Sequence, residues 1–325
     1  MEYSLRVGGF EDHRQVWEQL LPASPNSSIF VTPWWQETWY QHFGDGADLQ
    51  IVSVSAGDKV IGIAPFMLSA GTVSFLGDTD LFDYHEFVAV KEHEEGFYDA
   101  IWEYLIGLEW DRLELRSVQE DSSILKRLPA LAAKQGLALE ITDEDMAPIT
   151  SLPGSWDEYV GGLAKKSRHE LRRKLRRLES ADNYRQYVIS DPESIPEHMP
   201  DFFRLLRASS DDKNEFLTPE REAFFVDIGA QLASRGQFKL YFLEVGGVRV
   251  ASCICFDYAG SYLLYNSGYD PEFSQLSVGL LNKALCIRDA IQEGRSCFEF
   301  LRGTERYKYD LGATDRALYR ISAQR

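Results

Sequence analysis

The chain has 325 residues, more than one compact domain of ordinary size needs, so two domains are expected. An apolar fraction of 44% with only 12 Pro describes a globular chain, and no run approaches the roughly 18 consecutive apolar residues of a bilayer span. The formal charge of −17 disfavours a long polyanion as partner over most of the surface.

The first twenty residues have neither a basic leader nor an apolar core, and four Cys in this length give no disulfide framework. A cytoplasmic protein with reduced thiols is expected. Cys253 and Cys255, two apart on one strand, read as buried thiols on one face rather than a metal pair. Six scattered His without HExxH spacing point to no metal, and no GxxxxGK or strand-bound GxGxxG supports nucleotide hydrolysis or hydride transfer.

In chain order, "YSLRV" predicts a strand and the residues around Val16 and Leu20 a helix. "PWWQETWYQHF" follows Thr32 and Pro33 as a second helix, whose Trp34, Trp35 and Trp39 read as core between two units rather than a sugar platform. "LQIVSVSAGDKVIGIAPFMLSAGTVSFLG" divides into three strands at Gly57 and Gly71. An acidic loop, the helix "GFYDAIWEYLIG", the strand "RLELR", another helix, and the strands "LALEI" and "APITSL" complete this half.

The second half opens at "SWDEYVGG", where Ser155 and Glu158 have capping-box spacing. A basic helix over 164–180 comes next, then the strand "NYRQYVIS" and a helix opened by Ser194 with Glu197. Thr218, Pro219 and Glu220 open a further helix that stops at Gly236. Three strands within "FKLYFLEVGGVRVASCICFDYAGSYLLYN" break at Gly246 and Gly260. A helix from Ser277 to Gly294, the strand "CFEFL", the short helix "TERYKYDLG" and the closing strand "DRALYRIS" end the chain.

The two halves repeat one order of elements. Gly57 falls on Gly246, Gly71 on Gly260, and Leu113, Glu114 and Leu115 stand opposite Phe298, Glu299 and Phe300. A duplicated α/β domain with mixed sheets follows, with domains at residues 1–153 and 154–325.

With these motifs in place, the chain resembles the GNAT acyltransferases in tandem form. Its closer likeness is to the CelD-like acetyltransferases of bacterial polysaccharide metabolism, and a more distant one is to the Fem-type peptidyltransferases. The matching stretches are "FVTPWWQETWYQHFG", "VIGIAPFML" with "FLGDTDLFDYHEF", "KKSRHELRRKLRRLE" and "FEFLRGTERYKYDLGA".

The resemblance implies two GNAT-like domains and transfer of an acyl group, acetyl in the first instance, from acyl-CoA to an amine on a small or carbohydrate-linked acceptor. Such a fold parts two strands for the acyl-CoA and places its pyrophosphate on the following helix N-terminus. In the second half this implies Leu264, Tyr265 and Asn266 on the strand, and Gln275, Ser277, Val278, Gly279 and Leu280 at the helix start. In the first half the matching loop carries Asp78, Asp80, Asp83, Glu86, Glu92, Glu94 and Glu95, which repel an anion, so that domain is expected to lack the cofactor.

Direct attack on a thioester needs a neutral amine, an oxyanion donor and a proton for the leaving thiolate, but no covalent nucleophile or metal. Tyr307, Lys308, Tyr309, Glu299 and Asp83 are the catalytic candidates, with Asp83, Tyr84, Arg302 and Lys308 as acceptor contacts. The usual GNAT tyrosine position is Lys308 in this chain, which leaves the general acid between Tyr307 and Tyr309.

"AKKSRHELRRKLRRLE" holds eight Lys or Arg against two Glu, a net +6 that leaves −23 for the remainder. Arg168, Arg172 and Arg176 align at helical spacing beside Arg173 and Arg177, and like charges so placed repel. An anion must compensate, either the protein's own acidic surface across a bridging helix, CoA phosphates, anionic lipid, or tRNA in a Fem-type aminoacyl-tRNA-dependent transferase. A catalytically silent tandem domain that binds an anionic partner is the alternative from another class. No aromatic alternates with the cations, which disfavours nucleic acid.

Overall fold

A computed structural model describes residues 2–181 and 183–325. The chain divides into two compact units, residues 1–146 with 316–325, and residues 147–315. The first contains β1 (Tyr3–Gly8), α1 (Phe10–Leu20), α2 (Pro33–Phe43), β2 (Asp48–Ala56), β3 (Lys59–Ser69), β4 (Thr72–Phe75), β5 (Val88–Ala89), α3 (Glu94–Gly107), β6 (Arg112–Gln119), α4 (Ile124–Lys134) and β7 (Glu140–Met146).

The second contains β8 (Ile149–Ser151), α5 (Trp156–Gly162), α6 (Lys165–Glu179), β9 (Arg185–Ile189), α7 (Ile195–Ser209), α8 (Asp211–Phe216), α9 (Pro219–Ala233), β10 (Phe238–Val245), β11 (Val248–Tyr258), β12 (Ser261–Tyr269), α10 (Val278–Gln292), β13 (Cys297–Glu299) and α11 (Arg306–Asp310). The last strand, β14 (Ala317–Gln324), belongs to the first unit.

Local chemistry sets several boundaries. The hydroxyls of Thr32, Ser155 and Thr218 accept from the amides of Trp35, Glu158 and Arg221, and Pro follows Thr32 and Thr218 at the first helical position. Ser194 behaves differently: its hydroxyl donates to Asp191, 2.5 Å away, so the capping box expected with Glu197 does not form. The short helix α8, capped by Ser210, was not foreshadowed by the sequence pattern.

The sheets run β1-β2-β3-β4-β6-β14-β7, with β5 on β3, and β8-β13-β12-β11-β10-β9. β4 with β6 and β12 with β13 are parallel, the remaining strand pairs antiparallel. The duplicated turns agree in conformation. Ala70 and Gly71 have φ of 46° and 74°, Ala259 and Gly260 of 49° and 82°, the left-handed pair of a two-residue hairpin. The fold is thus two tandem GNAT-like domains, as the repeat implies.

Where the chain divides differs from the expectation. The break falls between residues 146 and 147 rather than 153 and 154, and β14 lies between β6 and β7 of the first sheet. Ile321 stands opposite Leu115 on one side and Ile141 on the other, fully buried with Leu318. β8 takes the equivalent place beside β13, with Ser151 opposite Cys297. Partner choice is a long-range matter that neither strand's own residues state.

Each sheet has its own core. In the first unit Trp35 packs edge-on against Phe30 at 5.0 Å and Trp39 against Phe82 at 5.8 Å, so these indoles are core of that unit itself. In the second, α10 lies against β10, β11 and β12 through Leu281, Ala284, Leu285 and Ile287. Cys253, Cys255 and Cys286 are buried free thiols there. Among the described residues no His, Cys, Asp or Glu group is arranged to hold a metal, and no helix is long and apolar enough to cross a membrane.

Candidate active site

β12 pairs with β13 over three residues only, Ser261 to Leu263 against Cys297 to Glu299. Beyond them β12 continues to Tyr269 with no strand on that side. A bulge falls at the parting, where the register with β11 shifts across Leu264 and Asn266 and leaves Tyr265 extra. Leu264 faces the core, and the Tyr265 ring lies tilted against that of Phe256, 4.8 Å between centroids. Past the bulge, side chains replace the missing strand: the amide of Ser267 donates to Asn266 Oδ1 (3.1 Å), and its carbonyl accepts from Lys213 Nζ (2.5 Å).

The next helix, α10, begins abruptly. Ser277 adopts a left-handed conformation (φ 56°, ψ 37°) and its hydroxyl does not cap the first turn. The N–H groups of Val278, Gly279 and Leu280 therefore have no intrahelical acceptor and no cap, the arrangement in which a helix start favours an anion. Gly279 is small because of Tyr269, whose ring would lie 2.9 Å from an added Cβ.

The basic helix α6 packs against this start. Leu171 and Leu178 bury its apolar edge in the second core, and Arg177 donates to the Gln275 carbonyl at 2.5 Å. A cavity of about 250 Å³ beside Leu280 is lined by Lys166, Ser167, Lys174 and Arg306, with Glu170 and Asp310 as its acids. Arg173 pairs with Glu170 at 2.8 Å, but Arg172, Arg176, Lys166 and Lys174 make no ion pair with a described residue.

The C-terminal motif divides its residues between two tasks. Lys308 is buried, and its ammonium donates to the carbonyls of Leu301 (3.0 Å), Arg302 (2.6 Å) and Gly303 (2.9 Å) while pairing with Glu305 (3.0 Å). Its donors are thus engaged in folding the turn that holds Arg302. Tyr309 is exposed, with its hydroxyl on Asp315 at 2.6 Å.

Tyr307 turns inward instead, its ring 4.6 Å from Lys283 Nζ. Burial, reinforced by the Glu305 charge, raises its phenol well above the usual range, so the proton is retained at neutral pH. Glu299 stands on β13 at the parting itself, half-buried.

Two basic residues of this region were not anticipated. Lys283, on the inner face of α10, donates to the Gly279 carbonyl at 3.1 Å and is 7% exposed. Burial, then the charge of Lys283 and more weakly that of Lys308, brings the Lys213 ammonium down to about 8. Lys283 left a trace in the sequence, a cation inside the apolar run "VGLLNKALCI". Lys213, in "SSDDKNEF", left none.

The equivalent place in the first unit is built otherwise. β4 and β6 are parallel over Thr72 to Ser74 against Arg112 to Glu114, and the loop after β4 then folds back. His85 donates its amide to the Ser117 carbonyl at 3.0 Å, and its ring is stacked between Phe75 and Phe82 at 5.1 and 4.9 Å. Gly77, at φ 123°, allows this return: an added Cβ would meet the Phe82 ring at 2.7 Å.

In the same loop, Tyr84 is buried edge-on to Phe30 and Asp83 is half-exposed. Asp78 accepts from Trp39 Nε1 at 2.9 Å, and burial raises its carboxyl. Glu86 is buried, and that burial outweighs its hydrogen bonds from Ser122, Phe87 and Asn26 to push it up to about 7.

Residues 165–309 match the family described as an acetyltransferase (GNAT) domain, somewhat under half of the chain. Among solved structures, FemX is similar at 13% identity and a TM-score of 0.67, covering 100% of this chain and 98% of its own. The C-terminal domain of a putative lysylphosphatidylglycerol synthetase from Agrobacterium fabrum is similar at 9% identity and 0.62, covering 97% and 92%. A tandem GNAT protein from the clavulanic acid biosynthesis pathway is similar at 13% and 0.53, covering 99% and 98%. Comparison with curated proteins finds no match. At such identities the likeness is one of fold, and that fold is of the GNAT acyltransferase type.

Proposed function

We propose that the second unit transfers an acyl group, acetyl in the first instance, from acyl-CoA to an amine on a small or carbohydrate-linked acceptor. The observation that carries this reading is the parting of β12 from β13 directly before an uncapped α10, with the unpaired cations of α6 beside it. The thioester would lie along Leu264 to Asn266, and the pyrophosphate on the amides of Val278 to Leu280 within reach of Arg177, Lys174 and Arg306. Tyr307, held protonated, is the proposed proton donor to the leaving thiolate, and Glu299 the proposed base for the amine. Lys308 would act by shaping the 301–303 turn that presents Arg302.

The test is thermal unfolding with acetyl-CoA. A ligand at a hundred times its Kd adds about 2.7 kcal/mol of stability. Gly279→Asp places a Cβ against Tyr269 and a carboxylate at the phosphate position, and should abolish that gain. An undiminished gain in this variant would overturn the assignment of the site.

A second reading, an aminoacyl-tRNA-dependent transferase of the Fem type, is favoured by the unpaired Arg172 and Arg176 and by the full-length similarity to FemX. It requires salt-sensitive tRNA binding that falls when both arginines are neutralised.

A further inference from the structure

We propose that Lys213 and Lys283 form a carboxylate subsite inside the parting of β12 and β13, for a carboxylate carried by the acyl group or by the acceptor. Its place in a reaction rests on the acyl-transfer reading above; the subsite itself rests on its own residues.

Each ammonium carries three protons, and each meets one carbonyl: Ser267 for Lys213 and Gly279 for Lys283. The Tyr307 ring gives Lys283 a further, weaker partner at 4.6 Å. Neither lysine has a carboxylate within ion-pair distance among the described residues. The nearby acid, Glu305, is engaged by Lys308 at 3.0 Å.

At Lys213, burial and the neighbouring charge of Lys283 outweigh the opposing charges of Cys253 and Glu305, and neutral carbonyls do not make up the difference. Among the described residues each ammonium thus has more protons than hydrogen-bond acceptors. Ser267 lies on β12 past the end of its pairing with β13 and Gly279 in the first turn of α10, and the two ammoniums are near enough for Lys283 to act on Lys213. A compact planar monoanion with two oxygens suits two ammoniums in an interior position. Phosphates are better served outside, at the amides of α10 and the cations of α6.

The test begins without any CoA compound. Reductive methylation of the wild-type protein at pH 8 is followed residue by residue with mass spectrometry, in succinate and in neutral succinamide. Succinate should slow labelling of Lys213 about tenfold, succinamide should not, and the exposed Lys165 should be indifferent to both. Lys283→Met should remove the protection; the wild-type comparison of succinate with succinamide stands even where that variant folds poorly. Equal labelling in both solutions overturns the subsite.

Donor and acceptor sources are then separated by turnover. Preference for succinyl-CoA over acetyl-CoA that Lys283→Met erases assigns the carboxylate to the acyl group. Preference for glycine over glycinamide that the variant erases assigns it to the acceptor. Protection by succinate without turnover of any acyl-CoA would retain the subsite and overturn the acyl-transfer reading. Turnover with neither protection nor preference would do the reverse.

Discussion

In the first unit β4 and β6 run parallel for three residues, and the space beyond them is filled by the Phe75, His85 and Phe82 rings. In the second, β12 and β13 run parallel for the same three residues, and the space beyond them is bordered by Ser267, Lys213, Lys283 and Tyr307. The backbone event is common to both; the segment after the strand decides its use. A loop rich in aromatics and carboxylates turns the opening into core, whereas a bulge succeeded by an uncapped helix leaves polar groups unspent. In a duplicated scaffold the segment after one strand thus decides whether the opening is packed as core or bordered by polar groups.

The contrast breaks most sharply if the aromatic filling is removed. Phe82 touches Trp35, Trp39, Phe30 and His85, so Phe82→Ala should cost about 3–5 kcal/mol in urea unfolding. It should leave any acetyl-CoA binding by the second unit within twofold. Creation of a second binding site in the variant would instead show that the rings alone exclude the cofactor from the first copy.

Glu86, in the same loop, gives a pH signature. Its carboxyl is pushed up from 4.5 to about 7, so the folded state holds a proton that the unfolded state releases. This proton's stabilising contribution is fully present below pH 4.5 and is lost as pH rises to 7, a change of about 3 kcal/mol. Glu86→Gln should flatten that part of the dependence of urea midpoint on pH. An unchanged slope would remove Glu86 as its source.

A smaller effect should come from the cations outside the second opening. Arg177 reaches the Gln275 carbonyl next to the α10 start. Arg177→Ala should weaken binding of CoA severalfold, by about 0.5–1 kcal/mol, with the loss shrinking as salt rises. Salt-independent weakening would point to displacement of the turn rather than a missing charge.

Much of this was legible in the chain because the duplicated turns are written twice. Ala70-Gly71 and Ala259-Gly260 announce the same hairpin, and Thr32-Pro33 and Thr218-Pro219 the same helix start. The acid-rich loop after β4 signalled its hostility to anions, yet its aromatic packing on α2 was hidden, because ring contacts across forty residues have no local pattern. Lys308 stood out as a motif residue but is engaged with three carbonyls, and Tyr309 turned out to face Asp315. Lys213 escaped notice because α8 is a single capped turn in an acidic stretch, and its importance comes only from the β12 carbonyl it meets.

The placement of β14 has a consequence for biosynthesis. Gln119 pairs with Leu318, so the interior of the first sheet is completed by a strand about two hundred residues further along the chain. On the ribosome, β6 and β7 must stand apart with unmatched backbone edges until the whole second unit has emerged. Such late closure slows folding through its large loop, and it leaves a nascent edge open to adventitious pairing for the time of some two hundred further codons. Emergence of β14, rather than exit of residues 1–146, is therefore the event that lets the first sheet close.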